Sequence, residues 1–338
     1  MGVLLSEVEV TACSDVLQVR AFTLCCLLSL LLTPAPKKNA TPRLIFFSGT
    51  GYGSTSNEQK GESMPNNPVK AYKNTEFLAS PQARTIRMVC EYEEPRVRFK
   101  ANHVHDTVVF FGSARSKPME DAQHNLANAE RELARATNDA EQKTLQDLVD
   151  VATRGVRLAR YYEDCRELSR RITEWDMNRA NARRYYVCTG GGPGMMEAAN
   201  RGASEVEGGK SIGLGISLPF EEGVNQYVTP ELAFEFHYFF TRKYWFTYLA
   251  KAMAVFPGGF GTMDELYETL TLRQTGKIKK PMPTVLFGTD YWNSVFNIEA
   301  MVEWGTISAK DLLLYHVTDS VDDAFDYLVS ALEQNETE

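Results

Sequence analysis

The chain is predicted to be an α/β protein built on a doubly wound parallel sheet, with a helical insertion after the first strand. Three observations lead there. Short apolar runs recur along the sequence, helical patterns separate most of them, and two runs end in glycine loops where a strand hands over to a helix. Apolar strands alternating with helices are the mark of a parallel sheet covered on both faces. Such a Rossmann-like sheet binds ligands beyond the carboxyl ends of its strands, where both glycine loops fall.

Strands are predicted at residues 107–112, 185–189, 211–217, 253–256 and 283–288, each a short apolar stretch bounded by glycine, proline or polar residues. Between the first two lies a segment at about 120–183, rich in Ala, Leu, Glu and Arg, with no proline and one glycine, Gly155. Leu126, Ala129, Leu133 and Ala136 share one helical stripe, and Leu145, Leu148, Val149, Ala152 and Val156 another. Two readings stand: a helical pair packed on the domain, or a surface for a partner.

At 338 residues and 43% hydrophobic, the chain can bury a full core of one or two domains. A net charge of −8 argues against a broad nucleic-acid footprint, which needs clustered Lys and Arg. The six cysteines are scattered with no Cys-x-x-Cys pair, so neither a zinc site nor a disulfide framework is indicated. His103 and His105 flank Val104 and read as a metal pair or as solvent-facing residues; no metal is expected.

The first hundred residues are set apart as a leader or poorly ordered extension, leaving 101–332 as the domain. Residues 21–32 are apolar but too short to span a bilayer, and resemble the core of a signal peptide. Arg20 precedes them, yet Glu7, Glu9 and Asp15 spoil a positive leader. Residues 37–80 are rich in Ser, Thr, Asn, Gly and Lys without a steady period. No membrane anchoring is expected; a cytoplasmic location is favoured, with an organelle or secretory address as the alternative.

The first loop is Thr189-Gly190-Gly191-Gly192-Pro193-Gly194-Met195-Met196-Glu197, and the second is Pro257-Gly258-Gly259-Phe260-Gly261-Thr262-Met263-Asp264-Glu265. Glycines let several backbone N–H groups point into one space, and a helix N-terminus behind them adds partial positive charge. The product is a cradle suited to phosphate. Loop one is not a dinucleotide fingerprint, because Glu197 stands where a small residue is needed. Gly208-Gly209-Lys210-Ser211 resembles a P-loop tail, but Ser204 replaces its first glycine and a strand follows it, so it reads as a turn.

In loop two, Thr262 and Glu265 have the spacing of a capping box, and equally of a catalytic carboxylate held beside a gripped anion. Arg242 and Lys243 open an aromatic helix, Phe239 to Leu249. They are cations snorkelling to water, or a phosphate clamp built on a planar guanidinium. Gly112-Ser113-Ala114-Arg115 is a third candidate ligand loop.

Gly190–Met196, Thr241-Arg242-Lys243 and Pro257–Glu265 together resemble the signatures of the LOG ("lonely guy") family, cytokinin riboside 5′-monophosphate phosphoribohydrolases long mislabelled as lysine decarboxylases. The resemblance covers roughly residues 107–328 outside the insertion. It implies hydrolysis of the N-glycosidic bond of a nucleoside 5′-monophosphate to free base and ribose 5-phosphate. Glu265 and Arg242 would be catalytic. Gly191, Gly192, Gly194, Met195, Gly258, Gly259, Gly261 and Thr262 would hold the phosphate, with Ser113, Arg115 and Lys243 beside it. No metal or organic cofactor is implied, and a homodimer or higher homo-oligomer is. The long N-terminal part and the insertion depart from the compact plant form, leaving the base open between a cytokinin and adenine. A pyridoxal decarboxylase would need a Schiff-base lysine, commonly beside a histidine, and no histidine here precedes a lysine. The alternative is a nucleotide-binding or carrier module that uses the cradle without chemistry.

Overall fold

The computed structural model describes residues 68–180, 183–218 and 223–337. A seven-stranded, wholly parallel sheet runs through them: β1 (Asp106–Phe111), β2 (Tyr185–Thr189), β3 (Ser211–Ile216), β4 (Ala233–Phe236), β5 (Ala250–Val255), β6 (Thr284–Phe287) and β7 (His316–Thr318). Their spatial order is β4-β3-β2-β1-β5-β6-β7. From β1 the chain steps outward to β4, then returns to the other side of β1 and steps outward again. The direction of winding thus reverses between β1 and β5, the place where such sheets open a ligand crevice.

β1 is central because all six of its residues are buried, and β-branched and aromatic side chains fill both faces of a parallel strand. The edge strands β4 and β7 were not anticipated. They have four and three residues, too few for a period to register. β5 begins three residues before the predicted start, through Ala250, Lys251 and Ala252, which carry little strand propensity and are drawn in by pairing with β1.

Two helices, α3 (Met119–Leu133) and α4 (Asp139–Met177), lie between β1 and β2. Asn138 caps α4, its side chain accepting from the Glu141 N–H at 3.0 Å. The early part of α4 is largely exposed. From Ala159 onward it enters the core through Tyr162, Cys165, Leu168 and Ile172, packed against α5 (Met195–Ser204). The later part of the insertion is therefore the ordinary crossover helix covering one face of the sheet.

The opposite face is covered by α6 (Phe239–Leu249) and by a helix the sequence reading left outside the domain. A 3₁₀ turn (Ala71–Lys73) and α1 (Thr75–Ala79) lead into α2 (Arg84–Ala101). Phe99 is 3% exposed, with its ring 4.7 Å from Phe234 and 5.3 Å from Trp245, and Tyr92 lies 5.3 Å from Tyr244. The packed body therefore starts well before residue 101, because amphipathic α2 supplies part of the apolar cover over α6. His103 ends the turn after α2 in the left-handed region (φ 55°) and is exposed, its N–H donating to the Lys100 carbonyl at 3.2 Å. The apolar segment 21–32 lies outside the described residues. Among the described residues no helix is long and apolar enough to cross a membrane.

Candidate active site

Three loops leave the carboxyl ends of β1, β2 and β5, and backbone bonds lace them together. The Ser113 N–H donates to the Pro257 carbonyl at 2.9 Å, and the Met195 N–H donates to the Ser113 carbonyl at 3.0 Å. The short β1 loop thereby ties loop one to loop two. Both amides are spent on this lacing, and the Met195 side chain is buried. The Ser113 hydroxyl accepts from the Arg115 N–H at 3.1 Å, and Arg115 is exposed.

Loop one turns through Gly191 and Gly194, at φ 74° and 73°, a region that favours glycine. Side chains to which the sequence reading gave no role hold it from behind. The Gly191 N–H donates to the Thr189 hydroxyl at 2.9 Å, and that hydroxyl donates to Asn200 at 2.7 Å. The Asn225 side-chain amide reaches the Gly191 and Gly192 carbonyls, each at 3.0 Å, and Asn200 at 2.9 Å. Thr189, Asn200 and Asn225 had no local signature, because the network forms only once three separate segments meet. The amides of Gly192 and Gly194 donate to no group among the described residues.

Loop two opens α7 (Phe260–Gln274), whose N-cap is Gly259. The helix starts two residues before Thr262, so Thr262 and Glu265 fall inside it. No side-chain cap bond forms, and the capping-box reading fails for that reason. Gly259, Phe260 and Gly261 are exposed, and the amides of 259–262 donate to nothing among the described residues. They form the positive end of a helix dipole with its donors open. The Thr262 side chain folds over Gly258, where a Cβ would overlap its hydroxyl, and the Tyr291 hydroxyl donates to the Gly258 carbonyl.

Glu265 is 6% exposed. Burial pushes its carboxyl up to about 7, Lys243 and Arg242 pull the other way, and Glu268 and Asp264 add to the rise. The Lys243 ammonium stands 2.8 Å from Asp264, 2.7 Å from Glu268 and 3.9 Å from Glu265. Lys243 is thus engaged with carboxylates. Burial lowers its pKa, but the bonds to Asp264 and Glu268 outweigh that and the net shift is upward.

Arg242 donates from Nε to the Leu214 carbonyl at 2.6 Å and lies over the Phe246 ring at 5.0 Å. Its guanidinium also rests against Gly190, where a Cβ would overlap it. Arg242 therefore touches loop one while its charge acts on the carboxyl carried by α7. The arrangement gathers open amides, a fixed guanidinium and a carboxyl poised near neutrality, a combination suited to an anion and to proton transfer.

Fold and loops define a doubly wound α/β domain with open backbone amides at the strand ends of its switch point. Residues 196–328 match the family model described as "Possible lysine decarboxylase", which is the LOG family domain. Arg242 and Glu265 lie within the match, while the glycines of loop one precede it. No curated protein matches the chain. The decarboxylase description implies a pyridoxal group, which needs a lysine able to release its proton. Lys243, the lysine beside Glu265, is instead held protonated by carboxylates, so these residues do not fit that group.

Proposed function

We propose that the protein hydrolyses the N-glycosidic bond of a nucleoside 5′-monophosphate, a cytokinin riboside monophosphate or AMP, releasing base and ribose 5-phosphate. The observation that carries this reading is Glu265, a buried carboxyl 3.9 Å from the Lys243 ammonium and raised to about 7, carried on the helix whose open N-terminal amides belong to loop two. LOG-family proteins are typically phosphoribohydrolases, which supports the same reading.

In this scheme the amides of Gly192, Gly194, Gly259, Gly261 and Thr262 bind the 5′-phosphate. The bond from C1′ to the base nitrogen breaks with its electron pair leaving on the base, and positive charge develops on the sugar. The Glu265 carboxylate steadies that charge and takes a proton from the water whose oxygen bonds to C1′. Arg242 steadies the phosphate or the departing base; the base takes up a proton from solvent, and Glu265 returns the proton it took from water to solvent. The ligand must reach a carboxyl with little open surface, so binding orders the water and excludes the rest.

Incubating the purified full chain with isopentenyladenosine monophosphate and with AMP tests the proposal. Free base and ribose 5-phosphate in equal amounts are expected. A folded sample that releases no base from any nucleoside monophosphate overturns it.

A further inference from the structure

Helix α6, which carries Arg242 and Lys243, begins without a cap or an acidic residue of its own. Its N-cap is Tyr238, whose own side chain makes no cap bond, and its first turn is Phe239-Phe240-Thr241, with the Thr241 hydroxyl 2.8 Å from the Tyr238 carbonyl. Two residues, His237 and Tyr238, separate it from β4.

Glu91, on α2, supplies what is missing. One carboxylate oxygen accepts from the His237 N–H at 2.8 Å, and the other accepts from the Tyr238 N–H at 3.2 Å and from the Thr241 hydroxyl at 2.6 Å. The Glu91 carbonyl also accepts from the Trp245 ring N–H at 3.2 Å, one turn further along. A carboxylate at a helix N-terminus satisfies orphan donors and complements the dipole, and charge-assisted bonds of this kind are short and directional. Thr241 immediately precedes Arg242.

We infer that Glu91 is a positioning residue for the active site: as the N-terminal cap of α6 supplied by another helix, it sets where Arg242 and Lys243 present their charges. This rests on the proposed reaction. It also makes α2, which lies wholly before the matched family region, part of the working enzyme.

The pH profile separates positioning from mere stability. The charged groups acting on Glu265 are Arg242 and Lys243 from α6, with Asp264 and Glu268 on its own helix. If α6 shifts, the two cations move while the two carboxylates stay, and the Glu265 proton is held to higher pH. A purely structural loss would lower the folded fraction equally at every pH.

The experiment compares Glu91→Ala and Glu91→Gln with the wild-type full chain, using base release from AMP and amide hydrogen exchange. For Glu91→Ala, kcat/KM falls by roughly tenfold or more, within the ~100-fold cost of a 1 Å misplacement. Its ascending pH limb moves to higher pH, and amides 237–242 exchange at least about tenfold faster while α7 is unchanged. Glu91→Gln, which keeps the reach and one acceptor oxygen, recovers most of both. Wild-type rate and exchange in Glu91→Ala overturn the inference. So does a loss with an unmoved pH limb that tracks the folded fraction. Should wild-type protein release no base, the proposed reaction fails, and the exchange arm alone decides whether Glu91 sets α6.

Discussion

The Lys243 ammonium lies 3.9 Å from the Glu265 carboxylate, and Asp264 and Glu268 hold it nearer still. One lysine therefore serves three carboxylates, with Arg242 as the second cation acting on Glu265. Such a cluster sets when Glu265 ionises. If its carboxylate is the working form, activity rises with pH through about 7.

Removing the lysine charge shifts that rise. In Lys243→Met the carboxyl loses a cation that favours its ionised form, so the ascending limb of kcat/KM moves upward by ~1 pH unit or more. Lys243→Arg keeps the limb near its original place. A pH–rate profile of the two variants checks this, and an unmoved limb in Lys243→Met would detach the cluster from the chemistry.

Replacing the carboxyl tests its role and its cost together. Glu265→Gln is expected to lose ~10²–10⁴-fold in kcat while still binding nucleoside monophosphate. The folded pKa is raised, so the group's contribution to stability is fully present below its unfolded value and lost as pH rises through about 7. Glu265→Gln should therefore melt higher than wild type at pH 8, by up to about 3 kcal/mol, and close to wild type at pH 4. Thermal melts at the two pH values read it out.

Gly190 leaves room for the Arg242 guanidinium. Gly190→Ala places a methyl group against the ends of two side chains, Arg242 and Met196, so the fold should survive while Arg242 is displaced. A fall of ~10- to 100-fold in kcat/KM with a nearly unchanged Tm is expected. Full activity in this variant would mean that the arginine position matters little.

Phe99 anchors α2 on Phe234 and Trp245. Phe99→Ala should cost ~3–5 kcal/mol, measured by denaturant unfolding. A chain shortened to begin at residue 102 should fold poorly for the same reason.

The central strands and both glycine loops were legible because each is a short apolar run closed by glycines, a signal contained within about ten residues. Helix α6 was equally plain as an aromatic segment between two strands. What escaped depended on distance along the chain. α2 looked like extension because its partners, Phe234 and Trp245, lie far downstream. Asn225 and Glu91 carry no motif at all; each matters only through the backbone groups it meets after folding. The spacing of Thr262 and Glu265 allowed two readings, and only the helix start at Phe260 removed one of them.

The most direct test of the central claim is a single-turnover comparison of wild-type protein and Glu265→Gln with the same nucleoside 5′-monophosphate, following bound nucleotide and released base together. Equal binding, with base released by the wild type alone, is the predicted result. Base release at wild-type rate by Glu265→Gln would contradict the account.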